Sequence, residues 1–428
     1  MRLNFAKLVV FLVMPFVSAV QVRADVISTT IPTGLQPTAI AVDSITNMIY
    51  VVNDSSYTVT VINGATNSTS TVNVGTRPGA IAVNPATDMI YVANSGSNTV
   101  TVINGANNAT TTVNVGSKPG AVAVNPITNM IYVANAGSGN VTVINGTNNS
   151  TTTVIAGTGP DALAVNPATN TIYVANSGTN NVTVINGVTN STTSVAAGTN
   201  PDAIAVNPVT NMIYVTNYNG GVTVINGATD STISVIAGAN PWSDVVNPVT
   251  NTIYVTNHGG NVTVIRGGTD STMTVSAGLV PEAIALNSIT NKIYVANYEG
   301  GSITVINGAN NSISTLSVGS TPYAVAVNSV TDMIYVANEG SNNVTVISGS
   351  PTAVRPEEPQ FRSPALDFKG TIAIYSLNGR ELLKTAFSGT AAKESILNQD
   401  KKALATGVYK YRVFNDRTIM DEGSFMIK

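Results

Sequence analysis

The sequence predicts an all-β protein whose larger part is a β-propeller of eight four-stranded blades closed by the N-terminal strand. Three observations predict it: a repeat near 41 residues, a composition of β-branched residues and turn formers, and four short strand-like runs in each repeat. The period is read from the tyrosines of the Ile-Tyr-Val triplets: Tyr50, Tyr91, Tyr132, Tyr173, Tyr214, Tyr254, Tyr294 and Tyr335. They stand 41 residues apart, except for the 40-residue steps from Tyr214 to Tyr254 and from Tyr254 to Tyr294. Hydrophobic residues are 43% of the chain and are mostly Val, Ile and Ala, while Asn, Thr, Ser and Gly supply the polarity. A residue written eight times serves the fold before it serves a reaction, so function is sought where the copies differ.

The second repeat shows the unit. Its strands are Ala80-Ile-Ala-Val83, Met89-Ile-Tyr-Val-Ala93, Thr99-Val-Thr-Val-Ile103 and Thr110-Thr-Thr-Val-Asn-Val115. Asn84-Pro-Ala-Thr-Asp88 turns the first into the second, with Pro presetting φ and Asn or Asp making the corner. Asn94-Ser-Gly-Ser-Asn98 and Asn104-Gly105 serve the next two turns, and Gly116-Ser-Lys-Pro119 hands over to the following unit. No window has a 3.6-residue apolar period, so the repeats should contain no helix. On the innermost strand, Ile40 and Val42 face one way and Ala39 and Ala41 the other. Small residues on one face let the branched residues of the next blade approach closely. A parallel β-helix, the rival for this composition, usually has a shorter coil and needs no four-strand meander.

Strand bookkeeping gives the blade count. The first three strands of the unit occur eight times, but the fourth follows only the first seven units. A lone strand of the fourth type, Val26-Ile-Ser-Thr-Thr-Ile-Pro-Thr-Gly34, precedes them all, and the last unit stops at Val344-Thr-Val-Ile-Ser348. The N-terminal strand should therefore complete the eighth blade.

The units resemble the YVTN-family β-propellers of the surface-layer type. Tyr214-Val-Thr-Asn217 and Tyr254-Val-Thr-Asn257 carry the naming tetrapeptide, which is Tyr-Val-Ala-Asn in most other copies. The flanking Asn-Pro-x-Thr-Asn and Val-Thr-Val-Ile-Asn-Gly match as well. The resemblance covers roughly residues 26–350 and implies a binding or scaffolding role at a cell surface or in the periplasm. It also implies seven blades, the alternative to the eight counted here.

The ends of the chain suggest an address. Residues 1–24 read as a signal peptide: Arg2 and Lys7, an apolar run from Leu8 to Val20, then Val22-Arg-Ala24 before Asp25, with Val17-Ser-Ala19 as a second cleavage site. The apolar run is short for a membrane span, and no later segment is a candidate, so no transmembrane segment is expected in the mature chain. Residues 350–366 form a Pro-rich linker. Residues 367–428 are expected to form a small β-sandwich, from Gly370-Thr-Ile-Ala-Ile-Tyr-Ser-Leu377, the Asn378-Gly379 turn, Arg380–Lys384, Gly407–Phe414 and Gly423–Lys428. Ile374-Tyr-Ser-Leu-Asn-Gly-Arg380, Leu404-Ala-Thr-Gly-Val-Tyr409 and the terminal strand are similar to the C-terminal sorting domain of type IX secretion cargo. That resemblance implies passage across an outer membrane and the secretion machinery as a partner; a plain immunoglobulin-like module is the other reading.

Residues 26–350 carry four Lys and Arg against twelve Asp and Glu, whereas residues 351–428 carry twelve against nine. The repeat region has no basic stripe, which argues against nucleic acid. There is no cysteine and one histidine, His258. A lyase or oxidase needs several convergent ionisable groups, and no nucleotide loop, serine elbow or paired-histidine motif exists, so neither catalysis nor a cofactor or metal is expected. The streptogramin lyases, propellers of comparable repeat, rest on histidine chemistry that one histidine does not supply.

The copies disagree in one place. The residue after each handover proline, at the start of the innermost strand, is Thr38, Gly79, Gly120, Asp161, Asp202, Trp242, Glu282 and Tyr323 in ring order. Five consecutive units thus carry acidic or aromatic residues. Units five and six have a shorter turn between their second and third strands, and units five to seven place Tyr218, His258 and Tyr298 there. These eight residues are the candidate ligand-binding set, suited to a sugar, a cation or a basic peptide. The function expected is that of an exported surface propeller that binds a glycan or protein ligand. The alternatives are a carboxylate hydrolase or lyase using Asp202 with Glu282, and a structural surface-layer subunit.

Overall fold

The protein, described by a computed structural model, is seen at residues 24–349 and in four strands of the tail. Residues 24–349 form eight four-stranded antiparallel sheets with no helix among the described residues. Blade 1 runs Pro37–Asp43, Met48–Asn53, Thr58–Asn63 and Thr69–Asn73, and six further blades repeat this order. Blade 8 takes Pro322–Asn328, Met333–Asn338 and Asn343–Ser348 from the end of the repeats and Val26–Pro32 from the start. Val26 pairs with Ser348 and Pro32 with Asn343, with a bulge between Ile27 and Thr29. The count is eight, and the seven implied by family resemblance is corrected.

Blades pack face to face as the Ala/Ile alternation requires. Ala39 of blade 1 lies in one cluster with Ile81, Val83 and Ile90 of blade 2, around the fully buried Tyr50. The ring closes by the same contact, with Ile40, Val42 and Ile49 of blade 1 against Tyr335, Ala337 and Val344 of blade 8 and against Ile31. Burying such aliphatic side chains contributes about 1.5–3 kcal/mol each.

The repeated polar residues are scaffold. The Asn ending each second strand is fully buried. Its Nδ2 donates to the Thr Oγ1 of the third strand at 2.9–3.1 Å in all eight blades, from Asn53–Thr60 to Asn338–Thr345. The handover glycine presses on this Asn: a Cβ on Gly75 would lie 2.7 Å from Asn94 Cγ. A second ring of bonds joins the blades. The buried Asn ending each first strand donates Nδ2 to an Asn or Asp Oδ1 of the next blade at 2.7–2.8 Å, as in Asn84–Asn129, Asn287–Asp332 and Asn328–Asn47. Each acceptor also occupies the left-handed region, φ 51–56°, which Asn and Asp tolerate best among side-chain-bearing residues.

One junction adds to this pattern and one departs from it. Between blades 7 and 8, Lys292 Nζ meets Asp25 Oδ1 at 2.7 Å, both residues being buried, so the start of the closing strand is tied to blade 7. Between blades 1 and 2, Asp43 replaces the donor Asn and faces Asp88. Asp43 Oδ1 accepts from the Ile45 and Thr46 N–H groups, whereas Asp43 Oδ2 and Asp88 Oδ1 have no partner. Burial and then the Asp43 charge push the Asp88 carboxyl up.

The described tail strands form one antiparallel sheet in the order Glu381–Ser388, Lys369–Ser376, Gly407–Asn415, Thr418–Ile427. Glu381–Ser388 and Thr418–Ile427 are longer than the sequence suggests. The packing that would make this sheet a sandwich, the linker, the Asn378-Gly379 turn and the signal segment before residue 24 lie outside the described residues. By chain contacts the two units are Met1–Thr352 and Ala353–Lys428.

The Asp43–Asp88 junction yields a prediction. A carboxyl pushed up in the folded state holds its proton more tightly than in the unfolded chain. Its stabilising effect is therefore present below the unfolded value of about 3.9 and is lost as pH rises through the folded value. Asp43→Asn restores the missing donor. It is expected to stabilise the ring at pH 7 by about 1 kcal/mol, one net hydrogen bond, and to flatten the fall of melting temperature with pH above 4. Thermal melts of both proteins across pH 4–7 check this, and an unchanged or lower melting temperature at pH 7 refutes it.

Candidate functional site at the channel mouth

The handover proline of each blade pairs with the last residue of the second strand, after which the register slips by one. In blade 3, for example, Pro119 pairs with Asn135 but Ala121 with Ala134. The residue between, Gly120, is an extra residue in a β-bulge, and the same slip occurs in every blade. A bulge re-aims its side chain out of the ladder. Here it turns the post-proline side chains into the mouth of the central channel.

Asp161, Asp202, Trp242, Glu282 and Tyr323 accordingly line one cavity of about 610 Å³, with Thr38 of blade 1. Gly79 and Gly120 do not line it, and a Cβ at either would meet nothing within 4 Å. Tyr218, His258 and Tyr298, from the turns between second and third strands, stand beside the lining residues. Trp242 and His258 lie 4.7 Å apart with rings tilted by 31°. Tyr218 sets its edge against both, at 5.9 and 6.2 Å, and Tyr298 and Tyr323 make a second edge-to-face pair at 6.0 Å. The shorter turns of blades 5 and 6 pair Asn217 with Gly221 and Asn257 with Asn261. The first needs glycine, because Gly221 has φ +76° and a Cβ there would lie 2.6 Å from Val235 O.

Glu282 is the hub. The Trp242 side chain lies near enough to draw its carboxyl down, yet burial, the larger effect, pushes Glu282 up and Glu339 pushes it further. His258 Nε2 approaches Glu282 Oε2 to 3.2 Å, but without hydrogen-bond alignment. Burial lowers His258, so the neutral imidazole, not a charged pair, is the state this environment favours near pH 7. Asp202 is pushed up to about 6 by burial and by Asp161. Asn200 Nδ2 donates to Asp202 Oδ2 at 3.0 Å, and the Ser177 hydroxyl donates to Asp161. Among the described residues no group of three or more His, Asp or Glu is placed to hold a metal.

One residue of this region escapes the sequence reading. Asp244 stands where the other innermost strands carry Ile, Leu or Val, against Thr216 of blade 5. Burial pushes its carboxyl up to about 7, opposed by contacts with Thr216 and with the backbone of Asp244 and Ala205. Neither Asp244 Oδ2 nor Thr216 Oγ1 reaches hydrogen-bond geometry, although both atoms are buried. In the same strand the ladder skips Ser243, and Thr256 bridges the gap: Ser243 N–H donates to Thr256 Oγ1 at 3.0 Å and the hydroxyl donates back to Ser243 O at 3.2 Å. Thr216 and Thr256 are the threonines of the two Tyr-Val-Thr-Asn copies. The signal was there: Trp242-Ser-Asp-Val-Val breaks the apolar alternation of the other seven innermost strands.

No family model and no curated protein matches the chain. Among solved structures it is similar to the hydrazine synthase of Kuenenia stuttgartiensis, with a TM-score of 0.55 and 19% identity, covering 76% of this chain and 99% of that one. At that identity the likeness shows the propeller fold alone.

The sole tryptophan of the chain reports on this site. Protonation of His258 should change Trp242 emission with a midpoint below the ordinary imidazole value of about 6.5, and His258→Gln should abolish the transition. Any remaining transition near pH 6 should vanish in Asp202→Asn. A fluorescence pH titration checks both, and a histidine midpoint above the ordinary value would mean that the charged His258–Glu282 pair dominates instead.

Proposed function

We propose that this chain is an exported, surface-displayed propeller that binds or scaffolds, and that its ligand sits in the channel mouth over blades 4 to 8. The observation that carries the reading is the convergence of five altered post-proline residues on one cavity, in a ring whose other residues repeat. Repeated residues hold blades together; these five stand at the bulge position that Gly79 and Gly120 fill without a side chain. Aromatic faces and carboxylates in a concave site are the usual equipment for recognition. The short connections around the mouth, uniform to within one residue, favour binding over a carboxylate hydrolase, which would normally carry longer active-site loops. The raised Asp202 and Glu282 are what such an enzyme would use, and they keep hydrolysis as the second reading.

Export is supported by the sequence of the leader and by where the ring begins. Ala24, the residue before the first cleavage site, is exposed, and Asp25 after it is the buried partner of Lys292. Cleavage there removes nothing that the described ring uses. The tail, by its resemblance to sorting domains, would deliver the propeller to the surface.

Two experiments test the proposal. On intact producing cells, surface protease should release propeller fragments, and deletion of residues 351–428 should leave the propeller inside the outer membrane; a propeller recovered only from the cytoplasm refutes export. On glycan and peptide arrays, the full chain should show hits that Trp242→Ala with Glu282→Ala weakens at least about tenfold, the loss of roughly 1.4 kcal/mol. Hits that are indifferent to both substitutions place the binding elsewhere.

A further inference from the structure

The chemistry of the mouth narrows what it takes. Its lining carries three carboxylates, Asp161, Asp202 and Glu282, and no Lys or Arg. Glu339 of blade 8 adds its field to Glu282 and to Tyr298 and Tyr323. The one basic ring, His258, is held toward its neutral form by burial. The propeller bases that stand next to handover prolines, Arg77 and Lys118, are exposed and belong to blades 2 and 3, on the other side of an eight-blade ring. Among the described residues of the ring, no Lys or Arg lines the negative sector.

The aromatic groups complete the description. Tyr218, Trp242 and His258 form one packed wall and Tyr298 with Tyr323 another, and Glu282 lies in blade 7 between blades 6 and 8, its carboxyl 3.2 Å from His258 of the first wall. Ring faces attract a cation through their quadrupole, and more strongly where water is partly excluded. A neutral sugar would use the ring faces but would leave the three carboxylates of the lining without a counter-charge. A metal ion would use the carboxylates but not the rings. An organic cation uses both.

We propose that the mouth binds a small organic ammonium group, its charge on Glu282, Asp202 and Asp161 and its apolar body against Trp242 and Tyr323. The inference rests on the mouth being a ligand site, as proposed above, and specifies the ligand class. Binding a cation also relieves the repulsion between Asp161 and Asp202, so it should be weakened when Asp202 is protonated.

Choline and its neutral isostere 3,3-dimethylbutan-1-ol, which share a shape and differ in charge, provide the test by calorimetry on the full chain. Choline should bind at pH 7.5, the isostere at least about tenfold more weakly, and choline binding should weaken at pH 5. Glu282→Gln and Trp242→Leu should each weaken choline about tenfold, whereas Trp242→Phe, which keeps a ring face, should retain most of the affinity. Circular dichroism and melting curves matching the parent show that each variant is folded. Equal binding of choline and the isostere overturns the cation assignment. So does binding of neutral sugars that depends on Trp242 and Glu282, which leaves the mouth standing as a ligand site. If neither choline nor any array ligand responds to these substitutions, the assignment and the ligand site fall together.

Discussion

The antiparallel pairing of Val26–Pro32 with Asn343–Ser348 closes the ring, and the other inter-blade contacts presuppose it. Without the first strand, blade 8 would offer Asn343–Ser348 as an unpaired edge, open to other strands. Ile31 would leave the cluster that joins blade 8 to blade 1. Joining two ends some 300 residues apart is affordable because loop-closure entropy grows only with the logarithm of length. The Asn328–Asn47 bond and the buried Lys292–Asp25 pair then fix where the two ends meet. Removing one partner of such a pair would leave a buried charge, at a cost of about 3–5 kcal/mol.

Closure also explains why so much of this fold was legible in the sequence. Each blade faces the same neighbours, so the same residues recur with a fixed period and the unit can be read eight times over. Counting fourth strands gave the blade number because a missing strand at one end and a spare strand at the other must pair. The inter-blade ring of Asn side chains was not legible. Asn84 and Asn129 lie in different blades, and nothing local in either says that one donates to the other. The same holds for Asp25 and Lys292. The tail was read strand by strand with approximate ends, because short alternating runs mark a strand but not its limits.

The candidate site was legible in its membership but not in its cause. The eight candidates stood out as exceptions to the period, and they do gather at the mouth. What the sequence hides is the β-bulge after each proline, which takes one residue per blade out of the ladder and turns it toward the channel. Asp244 stands outside that column. It lies two residues beyond Trp242, in a column where the other blades carry aliphatic residues. Its neighbours Thr216 and Thr256 had been read as a family signature. In the fold, Thr216 lies against Asp244 and Thr256 bridges the ladder at Ser243, so the tetrapeptide variants follow the polar strand of blade 6.

The bulge also separates what the fold needs from what the mouth carries. A bulged residue makes no ladder contact, and blades 2 and 3 manage with glycine there, so the ring sets no requirement for a side chain. Three carboxylates in four successive blades are then a cost that blade packing does not recover: Asp202 is pushed up by burial and then by Asp161, and Glu282 by burial and then by Glu339. Indifferent variation would scatter charges of both signs around eight equivalent positions. Instead the acids and aromatics fall in consecutive blades, while the bases beside the prolines fall opposite them. The mouth is therefore polarised across its width by residues that the scaffold leaves free, and a charged ligand entering it would meet an oriented field. Such a ligand would be oriented on the ring by that field before any contact is made.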